Sequence, residues 1–82
     1  MRVYTDKKET ELKQVVCNCC RKNLLVENGF LKEECIRIEH DFGFFGTRDG
    51  LCHRFDLCED CYQKLIEGFS IPVEEWERKE LL

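Results

Sequence analysis

Three stretches of the chain alternate apolar and polar residues with a period of two: residues 10–16, 35–39 and 51–55. This period is typical of a β-strand that has one buried face. The first stretch leads directly into Cys17, so we expect a strand to position that cysteine. In the second and third stretches, alternate residues are likewise expected to share one face of a sheet.

Turn signals divide these stretches. Asn28-Gly29 lies between apolar residues, and both residues tolerate a positive φ, so this pair predicts a tight β-hairpin. Asp49-Gly50 is a second turn signal that follows the aromatic, glycine-rich run Phe42-Gly43-Phe44-Phe45. We therefore expect a second hairpin over residues 42–55. Residues 1–9 are polar and are expected to lead in loosely, with a short edge strand at residues 3 and 4 as the alternative.

The clearest helix signal begins at Asp56. Aspartate is a suitable N-cap, and Glu59, three residues later, completes a capping box. The helix is therefore predicted to hold Leu57 and Cys58 in its first turn and to end at Gly68.

A second, shorter helix is predicted over residues 73–82, after Pro72. About ten residues are too few to be helical alone in water. Val73 and Trp76 are therefore expected to dock, either on the domain or on a second copy of it.

Two cysteine pairs with a two-residue gap carry the chemistry of the sequence: Cys17 with Cys20, and Cys58 with Cys61. Four thiolates suit one tetrahedral structural Zn²⁺, and such a closed shell leaves no position for water or substrate. Tetrahedral sulfur ligation also suits iron, which remains the alternative metal. Cys19 is a third candidate in the first pair, but Cys17 with Cys20 has the usual gap.

A second metal site is the less favoured interpretation of the remaining candidates, because they lack paired ligand spacing. Those residues are Cys19, Cys35, Cys52 and His53. We interpret them as spare thiols and a hydrogen-bonded histidine.

The chain length of 82 residues predicts a single domain with a modest core, of the size that commonly needs a metal or disulfide. Within domain 1–82, we expect residues 1–9 to lead in, residues 10–69 to form the zinc core and residues 70–82 to form a C-terminal extension. The first cysteine pair is followed by the predicted hairpins and then by a helix that carries the second pair. This order predicts an α+β, treble-clef-like fold. Seven cysteines, an odd number, are better explained by metal ligation than by a disulfide framework.

Charge and hydropathy limit the partners. The formal net charge is −4, which argues against nonspecific attachment to nucleic acid or to an anionic membrane. The sequence has no stretch of signal-peptide character and no run of apolar residues that could span a bilayer. We therefore expect a cytoplasmic protein that does not bind membranes.

A resemblance to a known family rests on the first cysteine pair and four further segments: Phe42-Gly43-Phe44-Phe45, Asp49-Gly50, His53-Arg54-Phe55-Asp56-Leu57-Cys58-Glu59-Asp60-Cys61-Tyr62 and Ile71-Pro72-Val73. With these segments the chain resembles a group of small uncharacterised bacterial proteins with a treble-clef-like zinc finger. The resemblance implies zinc at the four paired cysteines and no particular activity. The sequence differs from the family in having Arg21 where a glycine usually follows the first pair, and in carrying Cys19 and Cys52.

These observations favour a structural zinc domain that binds another macromolecule, most simply a protein partner or a second copy as a homodimer. No complete set of catalytic residues is recognisable, so we do not expect an enzyme. A nucleic-acid-binding finger is the first alternative, and its candidate contacts are Arg21, Lys22, Arg37, Arg48 and Arg54. A zinc protein that responds to thiol oxidation is the second alternative.

Overall fold

The fold, taken from a computed structural model, is described for residues 1–5 and 11–78. The strands are β1 (Arg2–Tyr4), β2 (Leu12–Val16), β3 (Asn23–Leu24), β4 (Val26–Glu27), β5 (Phe30–Leu31), β6 (Cys35–Asp41) and β7 (Cys52–Cys58), and the helix is α1 (Glu59–Glu67). The strands form three antiparallel sheets, ordered β1-β2-β3, β4-β5 and β6-β7. The predicted α+β class is confirmed.

The β4–β5 hairpin turns at Asn28-Gly29, as predicted. Asn28 has a φ of 52° and Gly29 a φ of 82°, the left-handed values that a two-residue hairpin turn requires. A Cβ on Gly29 would lie 2.6 Å from the Cγ of Glu11. Glycine is therefore favoured here by its left-handed conformation, and a larger residue would also displace the exposed Glu11 side chain.

The prediction that a strand leads into Cys17 is confirmed by β2. Near the N-terminus the alternative holds in place of the loose lead-in: residues 3 and 4 lie in edge strand β1, which pairs with β2 and carries an irregularity between Val3 and Tyr4. The predicted beginning of β2, Thr10, lies outside the described residues.

The longest hairpin differs from its prediction. Strands β6 and β7 pair over seven residues each, from Cys35 opposite Cys58 to Asp41 opposite Cys52. The aromatic run predicted to form a strand instead belongs to the connecting loop, residues 42–51. Its three glycines disfavour regular strand pairing there, and a bond from the Phe42 N–H to the Leu51 carbonyl oxygen, 2.9 Å, closes the base of the loop.

The beginning of α1 is also corrected. Strand β7 continues through the predicted first turn, and the N-cap is Cys58, with φ −73° and ψ 163° and no side-chain cap bond. Asp56 lies inside the strand, because its backbone pairs with a neighbouring segment and its carboxylate is bound elsewhere. Gly68 ends the helix as predicted, and its N–H donates to the carbonyl oxygen of Leu65 at 3.2 Å.

The predicted C-terminal helix is absent from residues 73–78, which have no regular structure. Trp76 is 75% exposed, so it does not dock on the described part of the domain. Residues 79–82 of that prediction lie outside the described residues. Without a packing surface, the short segment has nothing to offset the cost of helix nucleation.

The core is small and includes two of the paired cysteines. The buried hydrophobic residues are Val15, Cys17, Leu24, Leu57 and Cys58. Half-buried side chains from the sheets and from α1 pack around them. In the described residues, α1 is the sole α-helix, and it is too short to span a bilayer.

Candidate metal centre

The fold brings together the two cysteine pairs that are distant in sequence. The sulfur atoms of Cys17, Cys20, Cys58 and Cys61 all lie within 4.8 Å of one another. The first cysteine pair lies in the turn that follows β2. The second pair lies at the end of β7 and in the first turn of α1. All four are free thiols, so no disulfide competes for the sulfurs.

The sulfur separation fits a tetrahedral metal. Zn–S bonds of about 2.3 Å place the corners of a regular tetrahedron about 3.8 Å apart. The Sγ atoms of Cys20 and Cys58 are 3.7 Å apart. That distance is well beyond the ~2.05 Å of a disulfide. Four sulfurs grouped in this way can hold one metal ion.

The first cysteine pair is held in a tight turn. The Arg21 N–H donates to the Cys17 carbonyl oxygen at 2.9 Å, and the Cys17 N–H donates to the Lys22 carbonyl oxygen, also at 2.9 Å. Arg21 has a φ of 68°, in the left-handed region that favours glycine. The turn therefore takes the conformation a glycine would favour, although an arginine stands at this position.

Backbone N–H groups point at the sulfurs of this turn. Those directed at the Cys17 sulfur belong to Cys20, Cys58 and Cys19. Burial alone would raise the pKa of the Cys17 thiol, but these donors outweigh burial and lower the pKa to about 6. The Lys22 N–H is also directed at the Cys20 sulfur, but burial and the sulfurs of Cys17 and Cys58 outweigh this donor, so the pKa of the Cys20 thiol is raised. Amide donors of this kind stabilise thiolates, the form in which cysteine binds a metal.

Two of the other sulfurs, those of Cys20 and Cys61, resist ionisation, because the pKa of each thiol is raised. The pKa of Cys61 is raised, because the sulfurs of Cys58 and Cys20 hydrogen-bond to its thiol and burial adds to the effect. Four thiolates this close together repel one another strongly. A central dication removes that repulsion, so the geometry favours a metal-bound cluster over four separate thiols.

Asn18 joins the two halves of the centre. Its N–H donates to the Asp56 carbonyl oxygen at 2.8 Å, and its Oδ1 accepts the Asp56 N–H at 2.9 Å. Asn18 follows Cys17 directly, and Asp56 lies two residues before Cys58. This Asn18–Asp56 clamp therefore fixes the first turn against the end of β7.

Asp56 is buried, with a side chain only 3% exposed, and its carboxylate binds several donors. Arg2 Nε lies 3.1 Å from Oδ1, the Met1 amino group 2.9 Å from Oδ2, and the Cys35 thiol 3.5 Å from Oδ1. Burial opposes ionisation of Asp56, yet the hydrogen bonds from the amino group and Arg2 lower its pKa. Asp56, which the sequence predicts as a helix N-cap, forms a buried ion pair instead.

A comparison of the chain with protein-family models, with curated proteins and with solved structures finds no match. The resemblance to a bacterial zinc-finger family therefore stays a prediction. The function of the chain is accordingly inferred from its own geometry.

The other candidate residues lie outside the four-sulfur group. Cys19 is exposed on the first turn, and Cys35 contacts Asp56 and Arg2. Cys52 is exposed beside Asp41, which raises the pKa of its thiol. Both Cys52 and His53 lie at the far end of β7, about 17–20 Å from Cys58 along the strand. In the described residues these side chains form no metal-binding group with one another.

His53 has an aromatic neighbour. Its ring meets the ring of Phe42 edge to face, with centroids 4.9 Å apart, and the ring of His40 meets the same phenylalanine at 4.7 Å.

The sequence pattern did not indicate a role for Arg2 or Asn18. A side chain that acts across 54 residues, as Arg2 does, leaves no periodic or spacing signal.

Proposed function

We propose that the protein is a structural zinc protein, in which one Zn²⁺ bound by Cys17, Cys20, Cys58 and Cys61 holds a treble-clef-like domain together. The observation that carries this proposal is the 3.7 Å sulfur separation within a group of four free thiols. A Cys₄ shell is closed, so the ion would act in folding and not in catalysis. Seven cysteines suit a reducing compartment, and we place the protein in the cytoplasm.

Metal analysis tests this proposal directly. The protein is isolated without a tag, and zinc and iron are measured per chain. One zinc per chain is expected, with release when the four thiols are titrated by a mercurial reagent. Replacing the ion with Co²⁺ should give the ligand-field spectrum of a tetrahedral thiolate site. Protein without a bound metal, or with iron as its main metal, would contradict the assignment.

A role in binding another protein is supported by the loop of residues 42–51, which we name the aromatic loop. Phe45 is 94% exposed and Phe44 is 72% exposed, and their rings lie together with centroids 4.3 Å apart. Leu51 adds further exposed apolar surface at the base of the loop. Exposed aromatic pairs are enriched at protein interfaces, so we propose that this loop contacts a protein partner or a second copy of the chain.

Association tests the role of the aromatic loop. Phe45→Ser should abolish self-association or capture of the partner, while the fold and metal content stay unchanged. Phe30→Ser is the matched control, because Phe30 is also largely exposed, at 67%, but lies in the β4–β5 hairpin. Equal effects of the two substitutions, or none from Phe45→Ser, would remove the loop from the interface.

A further inference from the structure

A polar cleft lies between β1 and the β6–β7 sheet. Its volume is about 230 Å³, and it is lined by Met1, Arg2, Tyr4, Arg37, Arg54 and Asp56. The three arginines come from three different strands, β1, β6 and β7. We name this feature the arginine cleft. None of the four paired cysteines lines it.

The cleft contains more donors than its own carboxylate can satisfy. Each guanidinium offers about five N–H donors, whereas Asp56 offers two oxygens. Both oxygens already accept close bonds, one from Arg2 Nε at 3.1 Å and the other from the Met1 amino group at 2.9 Å. The carboxylate is therefore too small an acceptor for the arginine donors that line the cleft.

Of the three arginines in the cleft, Arg37 and Arg54 have the fewest hydrogen-bond and ion-pair partners. Arg37 lies 3.7 Å from Asp56 and 4.0 Å from Glu39, both longer than a hydrogen bond. Arg54 is exposed and forms no ion pair or side-chain hydrogen bond within residues 1–5 and 11–78. Asp56 is held by burial and by its backbone pairing, so it cannot move outward to reach either of them.

The local charge also differs from that of the chain. Three arginines and one aspartate line the cleft, while the chain as a whole has a formal net charge of −4. Glu39, two residues after Arg37 and so on the same face of β6, is a further opposing charge. Its side chain is 56% exposed and only loosely paired with Arg37. The cleft is therefore a positive concavity on an acidic protein.

We propose that the arginine cleft binds a phosphate group, carried by a nucleotide or by a nucleic-acid strand. Guanidinium groups match phosphate oxygens in pairs, which a spherical anion such as chloride does not reproduce. Tyr4 lines the same cleft and presents an aromatic ring on a residue that is 40% exposed, against which a base can stack. The proposal does not depend on which metal the cysteines bind.

Binding is measured on the full chain by ¹H–¹⁵N NMR at low ionic strength, with three probes: inorganic phosphate, a nucleoside 5′-monophosphate and a short single-stranded oligonucleotide. We expect saturable shifts of the arginine Nε–H signals of the cleft. The nucleotide should bind more tightly than inorganic phosphate if Tyr4 stacks on its base. An oligonucleotide that binds most tightly, with affinity falling as salt rises, would identify the strand as the source of the phosphate.

Matched substitutions separate the cleft from a general charge effect. Arg54→Gln should weaken phosphate binding by about tenfold, the effect of losing a hydrogen bond to a charged group. Arg48→Gln makes the same change of charge in the aromatic loop and should leave affinity within about twofold. Glu39→Gln should tighten binding by about two- to threefold, because it removes the nearby carboxylate.

Both Arg54 and Glu39 are exposed, so these variants are expected to fold, and their amide spectra verify this. Arg54→Lys keeps the charge but loses the planar fork, and should fall between the wild type and Arg54→Gln. Absence of saturable shifts with all three probes would overturn the proposal. Equal weakening by Arg54→Gln and Arg48→Gln would also overturn it.

Discussion

Two cysteines that face each other across one hairpin should differ sharply in their importance. Cys35 and Cys58 are directly opposed in the β6–β7 register. Cys58 belongs to the four-sulfur group, whereas the Cys35 thiol is bound to Asp56 at 3.5 Å. Replacing each by serine makes the same chemical change at neighbouring positions. Because Cys58 is also the more buried of the two, a difference larger than the one that burial alone would give reports on its role in the four-sulfur group.

The structure sets the expected size of that difference. Apart from Cys17 and Cys58, the buried hydrophobic side chains in residues 1–5 and 11–78 are Val15, Leu24 and Leu57. At about 1.5–3 kcal/mol each, their burial contributes about 5–9 kcal/mol. A structural Zn²⁺ contributes an apparent ~10–16 kcal/mol to folding at neutral pH. Loss of the metal thus removes more free energy than these three side chains provide, and more than a small domain of this kind can lose.

Cys58→Ser is therefore expected to leave the chain largely unfolded and without metal, and Cys17→Ser should do the same. Cys35→Ser should cost no more than about 1 kcal/mol, because a serine hydroxyl can still donate to Asp56. Far-ultraviolet circular dichroism and metal content are measured for each variant, and for the wild type during titration with a chelator.

Two results would refute this reasoning. The first is an unchanged dichroism spectrum after complete removal of the metal. The second is loss of metal from Cys35→Ser to the same extent as from Cys58→Ser, which would show that the two thiols do not differ in role.

Three further substitutions test other parts of the fold in the metal-loaded protein by urea unfolding. Asp56→Asn should lower the free energy of unfolding by about 2–3 kcal/mol, because Arg2 loses a buried charged acceptor. The control Asp49→Asn, at an exposed aspartate, should change the free energy of unfolding by less than about 0.5 kcal/mol. Equal effects of the two substitutions would count against the buried ion pair. Arg21→Gly should be stabilising by about 1 kcal/mol, since it relieves a left-handed backbone at φ 68°, and a loss of stability would contradict the described turn. Trp76→Ala should change stability by less than about 0.5 kcal/mol, whereas a docked C-terminal helix requires a loss of several kcal/mol.

Local chemistry explains which elements were predictable. The turn at Asn28-Gly29 follows from the backbone preferences of two adjacent residues, and β2 follows from its own alternation. The spacing within each cysteine pair is also local, and it indicated the four residues that the fold brings together. None of these inferences required knowledge of which segments meet in space.

The errors arose where a distant partner decides the structure. Asp56 followed by Glu59 is a valid capping box, but Arg2 and Asn18 supply better partners for Asp56 from the other end of the chain. With its backbone committed to Asn18 and to β6, Asp56 stays in β7, and the helix begins three residues later. Similarly, the segment of residues 73–78 has helical sequence features but no surface to pack on.

Loop closure indicates how a metal ion at the four cysteines would add to the clamp. Joining Cys17 to Cys58 closes a loop of roughly 40 residues, which costs about 4 kcal/mol of chain entropy. The two hydrogen bonds of the Asn18–Asp56 clamp return only about 1 kcal/mol each, so the clamp cannot close that loop alone. Four metal–sulfur bonds can supply the difference. The clamp then determines where the first turn meets β7, and a metal ion bound by the four cysteines would add to the free energy that keeps it there.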